Sequence, residues 1–203
     1  MRLLHLAIPA VVLLAAVLSP TRAMATPSLV VSVPDQTLAL VDGGLVKERF
    51  PVSTSRFGLG DSTGSYATPL GSLEIASKIG ANAPLGAVFK SRKMTGEILS
   101  PNAKGRDPIV TRIIWLRGKE ARNANAFGRD IYIHGTPEER NIGRPASYGC
   151  IRMRSIDIIN LYSQVGAGAE VSIINPSLAS VIPELGAKAT QMAESNHALG
   201  VIR

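Results

Sequence analysis

A chain of 203 residues has room for one domain of ordinary size plus a targeting segment, and a second catalytic domain does not fit. Hydrophobic residues at 45% and charged residues at 18% are ordinary globular usage, whereas 19 Gly and 13 Pro argue for turns and short strands and against an all-helical fold. The net charge of +7, from 22 basic and 15 acidic residues, suits an anionic partner, with a merely solvated surface as the plain alternative.

Met1-Arg2 supplies a positive start, residues 6–18 form a short apolar run, and Ala23-Met24-Ala25 offers small residues for cleavage. Residues 1–25 are therefore predicted to be a secretory signal, with the mature chain beginning near Thr26. The apolar run is shorter than the roughly 20 residues that span a bilayer and contains Pro9, so no membrane span is expected after cleavage. Loss of Arg2 and Arg22 leaves 20 basic against 15 acidic residues, a net charge of +5. Secretion to the periplasm or cell envelope makes nucleic acid a poor partner for that charge and an anionic envelope polymer a good one.

Residues 29–33 and 36–41 are rich in Val and Leu, Asp42-Gly43-Gly44 marks a hairpin turn, and residues 45–53 alternate again, so the amino-terminal half is predicted to be strands. The Gly- and hydroxyl-rich stretch 54–68 reads as a loop, and 73–79 as a further strand. Residues 80–107 show no sustained period and are expected to form a long excursion over the sheet. Strands are expected at 109–116 and 130–134, which places His134 at a strand end. Ser155 is the predicted cap of a helix over 156–165, with Asp157 in its first turn and Gly166 as its stop. A final strand is predicted over 170–175. In the tail 176–203, Leu178, Val181, Ile182 and Leu185 fall near helical spacing. The fold class is therefore mainly β with one or two helices (α+β), mixed sheets around a compact core, with the domain itself over 28–175.

Exported proteins normally pair their cysteines, yet Cys150 is the only one here, so no internal disulfide is possible. A lone cysteine is often a buried inert residue. Its surroundings point elsewhere. His134-Gly135-Thr136 is followed, through a loop with Gly143 and Pro145, by Ser147-Tyr148-Gly149-Cys150-Ile151-Arg152-Met153. A strand end followed by a returning loop can bring an imidazole to a thiol, and the thiolate is the attacking species in acyl transfer. Gly149 leaves room for a substrate carbonyl while nearby amides face the developing oxyanion. An exposed thiolate here is expected to oxidise readily. With His5 lost in the signal and His197 in the tail, a metal centre is not expected, and no cofactor is.

The segment from Ser147 to Met153, with the His134-Gly135-Thr136 triplet, resembles the signature of the L,D-transpeptidase (YkuD-type) catalytic domain. Ala67-Thr68-Pro69-Leu70-Gly71-Ser72-Leu73 is similar to that family's Thr-Pro-x-Gly-x-Phe segment, with Leu73 in place of the aromatic. The resemblance implies a YkuD-like fold and acyl transfer between peptidoglycan stem peptides through a Cys150 thioester. A stem amine as acceptor would give a crosslink, a lysine of a wall-anchored lipoprotein an attachment, and water a trimmed stem. It assigns Cys150 as nucleophile, His134 as base and then acid, and the amides of Gly149 and Cys150 as oxyanion donors. Gly135 could orient the imidazole only through its carbonyl. Arg152 either meets a substrate carboxylate or braces the loop, and Ser147 is expected to hold the turn. Tyr148 stands where many members have His, and Tyr132 and Trp115 are expected to pack. An L,D-carboxypeptidase on the same fold, and a non-catalytic wall-binding module, are the alternatives.

Overall fold

A computed structural model describes residues 26–182. The predicted secretory signal and the tail beyond residue 182, Leu185 included, lie outside the described residues.

The alternating amino-terminal residues form a meander of β1 (Ser28–Ser32), β2 (Thr37–Asp42) and β3 (Leu45–Pro51), each antiparallel to the next. The inward set, including Leu29, Val31, Leu38, Leu40 and Phe50, is almost fully buried, as the two-residue period of a half-buried strand requires. The last long strand, β10 (Glu170–Ile174), slots in parallel to β1, and β4 (Gly71–Ile79) then lies antiparallel to β10. The ten-residue β7 (Ile109–Gly118) follows, antiparallel to β4. On β7 are built the antiparallel β8 (Tyr132–Gly135) and, parallel to β8, β9 (Ile151–Met153). The result is a mixed sheet with one principal core, capped by α1 (Ser155–Gln164), whose Ile158 and Leu161 are fully buried. A short α2 (Leu178–Val181) lays Leu178 against Ala39.

Two local expectations are corrected, and one strand is added. The stretch 80–107 is not a structureless excursion: it contains a hairpin of β5 (Ala87–Lys90) and β6 (Lys93–Ile98), joined to the sheet by Val88 opposite Val110. Its two turn residues are Ser91 and Arg92, both left-handed at φ 49° and 66°, so the Asn-Gly or Gly-Gly signature of such turns is missing from the sequence. Residues 151–153, read only as motif, are the strand β9. Ser155 does not cap α1, because Arg154 occupies the cap position without a side-chain bond. Instead the Ser155 N–H donates to Glu139 Oε1 at 2.9 Å, and that carboxylate, from a short 3-10 turn, does the capping.

Candidate active site

The parallel pairing of β8 with β9 builds the site. Ile133 faces Ile151 and His134 faces Arg152, and since successive side chains alternate faces, the two isoleucines enter the core while His134 and Arg152 share the other side. Cys150, immediately before β9, joins that side. A cavity of about 270 Å³ is lined by Asp107, Ile109, His134, Tyr148, Cys150 and Arg152.

His134 is buried, and its Nδ1 lies 2.8 Å from the Gly135 carbonyl oxygen. A carbonyl only accepts, so Nδ1 carries the hydrogen and Nε2 keeps its lone pair. Burial lowers the His134 pKa to about 4, so the ring is a neutral imidazole at neutral pH. Gly135 can carry no side chain: a Cβ there would stand 2.6 Å from the Val110 carbonyl oxygen.

The Cys150 sulfur receives the Tyr132 N–H at 3.4 Å, and its thiol donates to the Asp130 carbonyl at 3.3 Å. Its resting hydrogen bonds thus run to the 130–132 segment and not to His134. Desolvation pushes its pKa up to about 11, against the opposing help of the Tyr132 N–H and Arg152. The residue is half-buried, and its desolvation favours the neutral thiol.

The turn ahead of the thiol is tied down by side chains. Ser147 Oγ donates to the Cys150 carbonyl at 2.6 Å and accepts the Gly149 N–H at 3.3 Å, so that amide is engaged within the turn. Gly149 has φ 118°, and a Cβ would meet the Ala67 carbonyl oxygen and Ile131 at 3.3 Å. Arg152 is buried, with Nη2 2.5 Å from Asp107 Oδ2 and Nη1 3.3 Å from the Ala146 carbonyl, and both contacts brace the loop. Tyr148 is half exposed, packed on Phe57 at 5.4 Å and edge-on to Tyr66 at 6.0 Å, and its hydroxyl accepts Arg56 at 2.8 Å. Tyr132 is buried, and Trp115 stacks on Phe127. Among the described residues no group of three His, Cys, Asp or Glu side chains converges as metal ligands would.

The profile of the L,D-transpeptidase catalytic domain (YkuD) matches residues 26–173. The chain belongs to this family. YcfS of Escherichia coli (strain K12), named as a probable L,D-transpeptidase, is 45% identical over 58 residues, 29% of this chain and 18% of that protein. YkuD of Bacillus licheniformis, also named for L,D-transpeptidase activity, is 37% identical over 79 residues, 38% of this chain and 48% of that one. The matched part thus spans less than half of either relative. Among solved structures, an L,D-transpeptidase from Xylanimonas cellulosilytica is 17% identical, with a TM-score of 0.49, covering 75% of this chain and 62% of that one.

Several supports within this YkuD-family domain were not singled out in the sequence. Thr68 Oγ1 donates to the Gly149 carbonyl at 3.0 Å and accepts the Ser55 N–H at 3.0 Å, which ties the Thr-Pro segment to the cysteine turn. Arg129 and Asp61 form a buried ion pair at 2.9 Å, and Arg129 also donates to the Ala67 carbonyl at 2.7 Å. The Thr-Pro motif was a usable signal for Thr68. For Asp61, Asp107 and Arg129, nothing local distinguishes them from surface charges.

Proposed function

We propose that this chain is an exported L,D-transpeptidase acting on peptidoglycan stem peptides through a thioester on Cys150. The observation that carries the reading is the shared cavity: it is lined by both Cys150 and His134, and the Gly135 carbonyl holds the ring with Nε2 free. The secretory character of residues 1–25 and the mature net charge of +5 support delivery to an anionic wall.

Acylation starts from two neutral groups, so a preformed ion pair is not the starting state. A turn of the Cys150 side chain takes the thiol from Asp130 to Nε2; catalytic hydrogen bonds commonly tighten only when substrate is present. The sulfur attacks the donor carbonyl carbon while Nε2 takes its proton. The resulting oxyanion is met by the Cys150 N–H; the Gly149 N–H, bonded to Ser147 at rest, joins only if the turn relaxes. Nε2 then returns the proton to the departing amine as the C–N bond breaks, leaving the thioester. An acceptor amine attacks that thioester, gives its proton to His134, and expels the sulfur, which recovers the proton. A stem amine makes a crosslink and a lipoprotein lysine an attachment.

Intact-protein mass spectrometry of the mature chain with a stem tetrapeptide donor, or a carbapenem in its place, tests this reading. One acyl adduct on Cys150, absent from Cys150→Ser, is expected, followed by crosslinked dimers when acceptor stems are added. Shortened monomers alone would assign the hydrolase reading. No adduct with any donor would leave a non-catalytic module.

A further inference from the structure

The tip of the β5–β6 hairpin reaches the segment that holds the thiol. Arg92 Nη1 donates to Asp130 Oδ1 at 2.8 Å and to the Tyr132 hydroxyl at 2.9 Å, and its guanidinium lies 4.4 Å over the Trp115 ring. Trp115 is itself stacked on Phe127 at 4.1 Å. An exposed ion pair alone holds little. One Nη1 shared by two acceptors, with the planar guanidinium laid on an aromatic bed, fixes direction as well as distance.

What Arg92 grips are the side chains of the same two residues whose main chain touches the sulfur: the Asp130 carbonyl accepts the thiol, and the Tyr132 N–H points at it. Asp130 is left-handed at φ 57°, a conformation Asp adopts more readily than most residues, and it turns the carbonyl toward the sulfur while the carboxylate meets Arg92. We propose that Arg92 is a positioning residue for the Cys150 sulfur, locking the 130–132 segment so that the Tyr132 N–H stays aimed at it and the Asp130 carboxylate stays neutralised. Its catalytic meaning rests on the reading of Cys150 as nucleophile, but its effect on the thiol does not.

The direction of the effect follows from the charges around the sulfur. Arg152 and Arg129 favour the thiolate, the Asp130 carboxylate opposes it, and the Tyr132 N–H favours it. Asp107 is paired with Arg152, and His134 in the same cavity is neutral at neutral pH. Without Arg92, the carboxylate is unopposed and the N–H loses its aim. Both changes disfavour the thiolate.

Cys150 is the chain's only cysteine, so iodoacetamide alkylation and thiolate ultraviolet absorbance, corrected with Cys150→Ser, report on this sulfur alone. In Arg92→Ala the ionisation midpoint is expected to rise by about one pH unit, with alkylation about tenfold slower at a fixed pH below it. Arg92→Lys should recover part of the loss, and adding Asp130→Asn to Arg92→Ala should bring the midpoint back down. If Arg92→Ala does not fold, as judged by circular dichroism, Arg92→Gln carries the same test. An unchanged midpoint in a folded variant overturns the proposal. A lowered midpoint also overturns it, since Arg92 would then merely shield the sulfur from water. No substrate enters these measurements, so a wild-type chain that forms no acyl-enzyme would sink the proposed function and leave this test standing.

Discussion

Two regions of the sheet are built differently. On both sides of β1 the ladders run unbroken, β1 matching five residues of β2 and four of β10, and the backbone groups satisfy one another. Around β7, β8 and β9 the strands are shorter or broken. The β7–β8 register slips between Val110 and Ile113, where Thr111 sits inside the strand at φ 72°, an unusual conformation for a β-branched residue. There, side chains replace the ladder: Thr111 Oγ1 donates to Ser155, Ser147 Oγ to the Cys150 carbonyl, and Thr68 Oγ1 to the Gly149 carbonyl. A regular ladder consumes its own donors and acceptors. An interrupted one leaves main-chain groups free to be aimed at a sulfur or an imidazole, at the cost of local strain.

The sharpest break of this contrast is kinetic. His134→Ala should lower the rate of Cys150 acylation by about 10²–10⁴-fold, the usual contribution of a general base, as read by the growth of the acylated mass. In the regular region, Leu38→Ala should cost about 2–5 kcal/mol in urea unfolding, as a fully buried leucine does, while the folded fraction acylates at the parent rate. If Leu38→Ala slowed acylation of folded protein as much as His134→Ala, the two regions would not be separable.

Asp61→Ala joins the two kinds of effect. It leaves the buried Arg129 without its carboxylate, expected to cost about 3–5 kcal/mol. It also frees the loop that carries Ala67 and Thr68 beneath Gly149. Both the unfolding midpoint and the acylation rate should fall; a loss of stability alone would detach that loop from the site.

The irregular region should also set the pH range of stability. Below pH 6.5 the unfolded chain protonates His134 while the folded ring resists until about pH 4, so stability is full above 6.5 and falls as pH drops through that window. The loss is on the order of 3 kcal/mol. Above pH 9 the unfolded thiol ionises while the folded one stays protonated to about 11, so stability falls again as pH rises. His134→Gln and Cys150→Ser should each flatten one shoulder of the melting-temperature profile. The smallest effect is expected at the exposed Arg117–Glu74 pair, where Arg117→Ala should change stability by no more than about 1 kcal/mol in the same assay.

The alternating strands were legible because each buries one face on the core, and the pattern of residues 29–33 and 45–53 shows it directly. The β5–β6 hairpin was not, because β6 is almost wholly exposed and its turn uses Ser91 and Arg92. Strand β9 hid within the cysteine motif, since three residues are too few to show a period. Ser155 looked like a cap by residue type, yet a carboxylate sixteen positions away fills that place. A charge-neutral cysteine depends on what surrounds the sulfur, and no neighbour in sequence reports that.

Read alone, the sequence determined the class of fold, the family signature from Ser147 to Met153, and which imidazole and which thiol to compare, because residue type and short-range spacing encode these. The tertiary structure decided that both side chains open on one cavity, that burial favours the neutral form of each, and that Arg92 and Arg129 brace the surrounding segments. Those outcomes depend on desolvation and on contacts between residues tens of positions apart, which only the folded chain brings together.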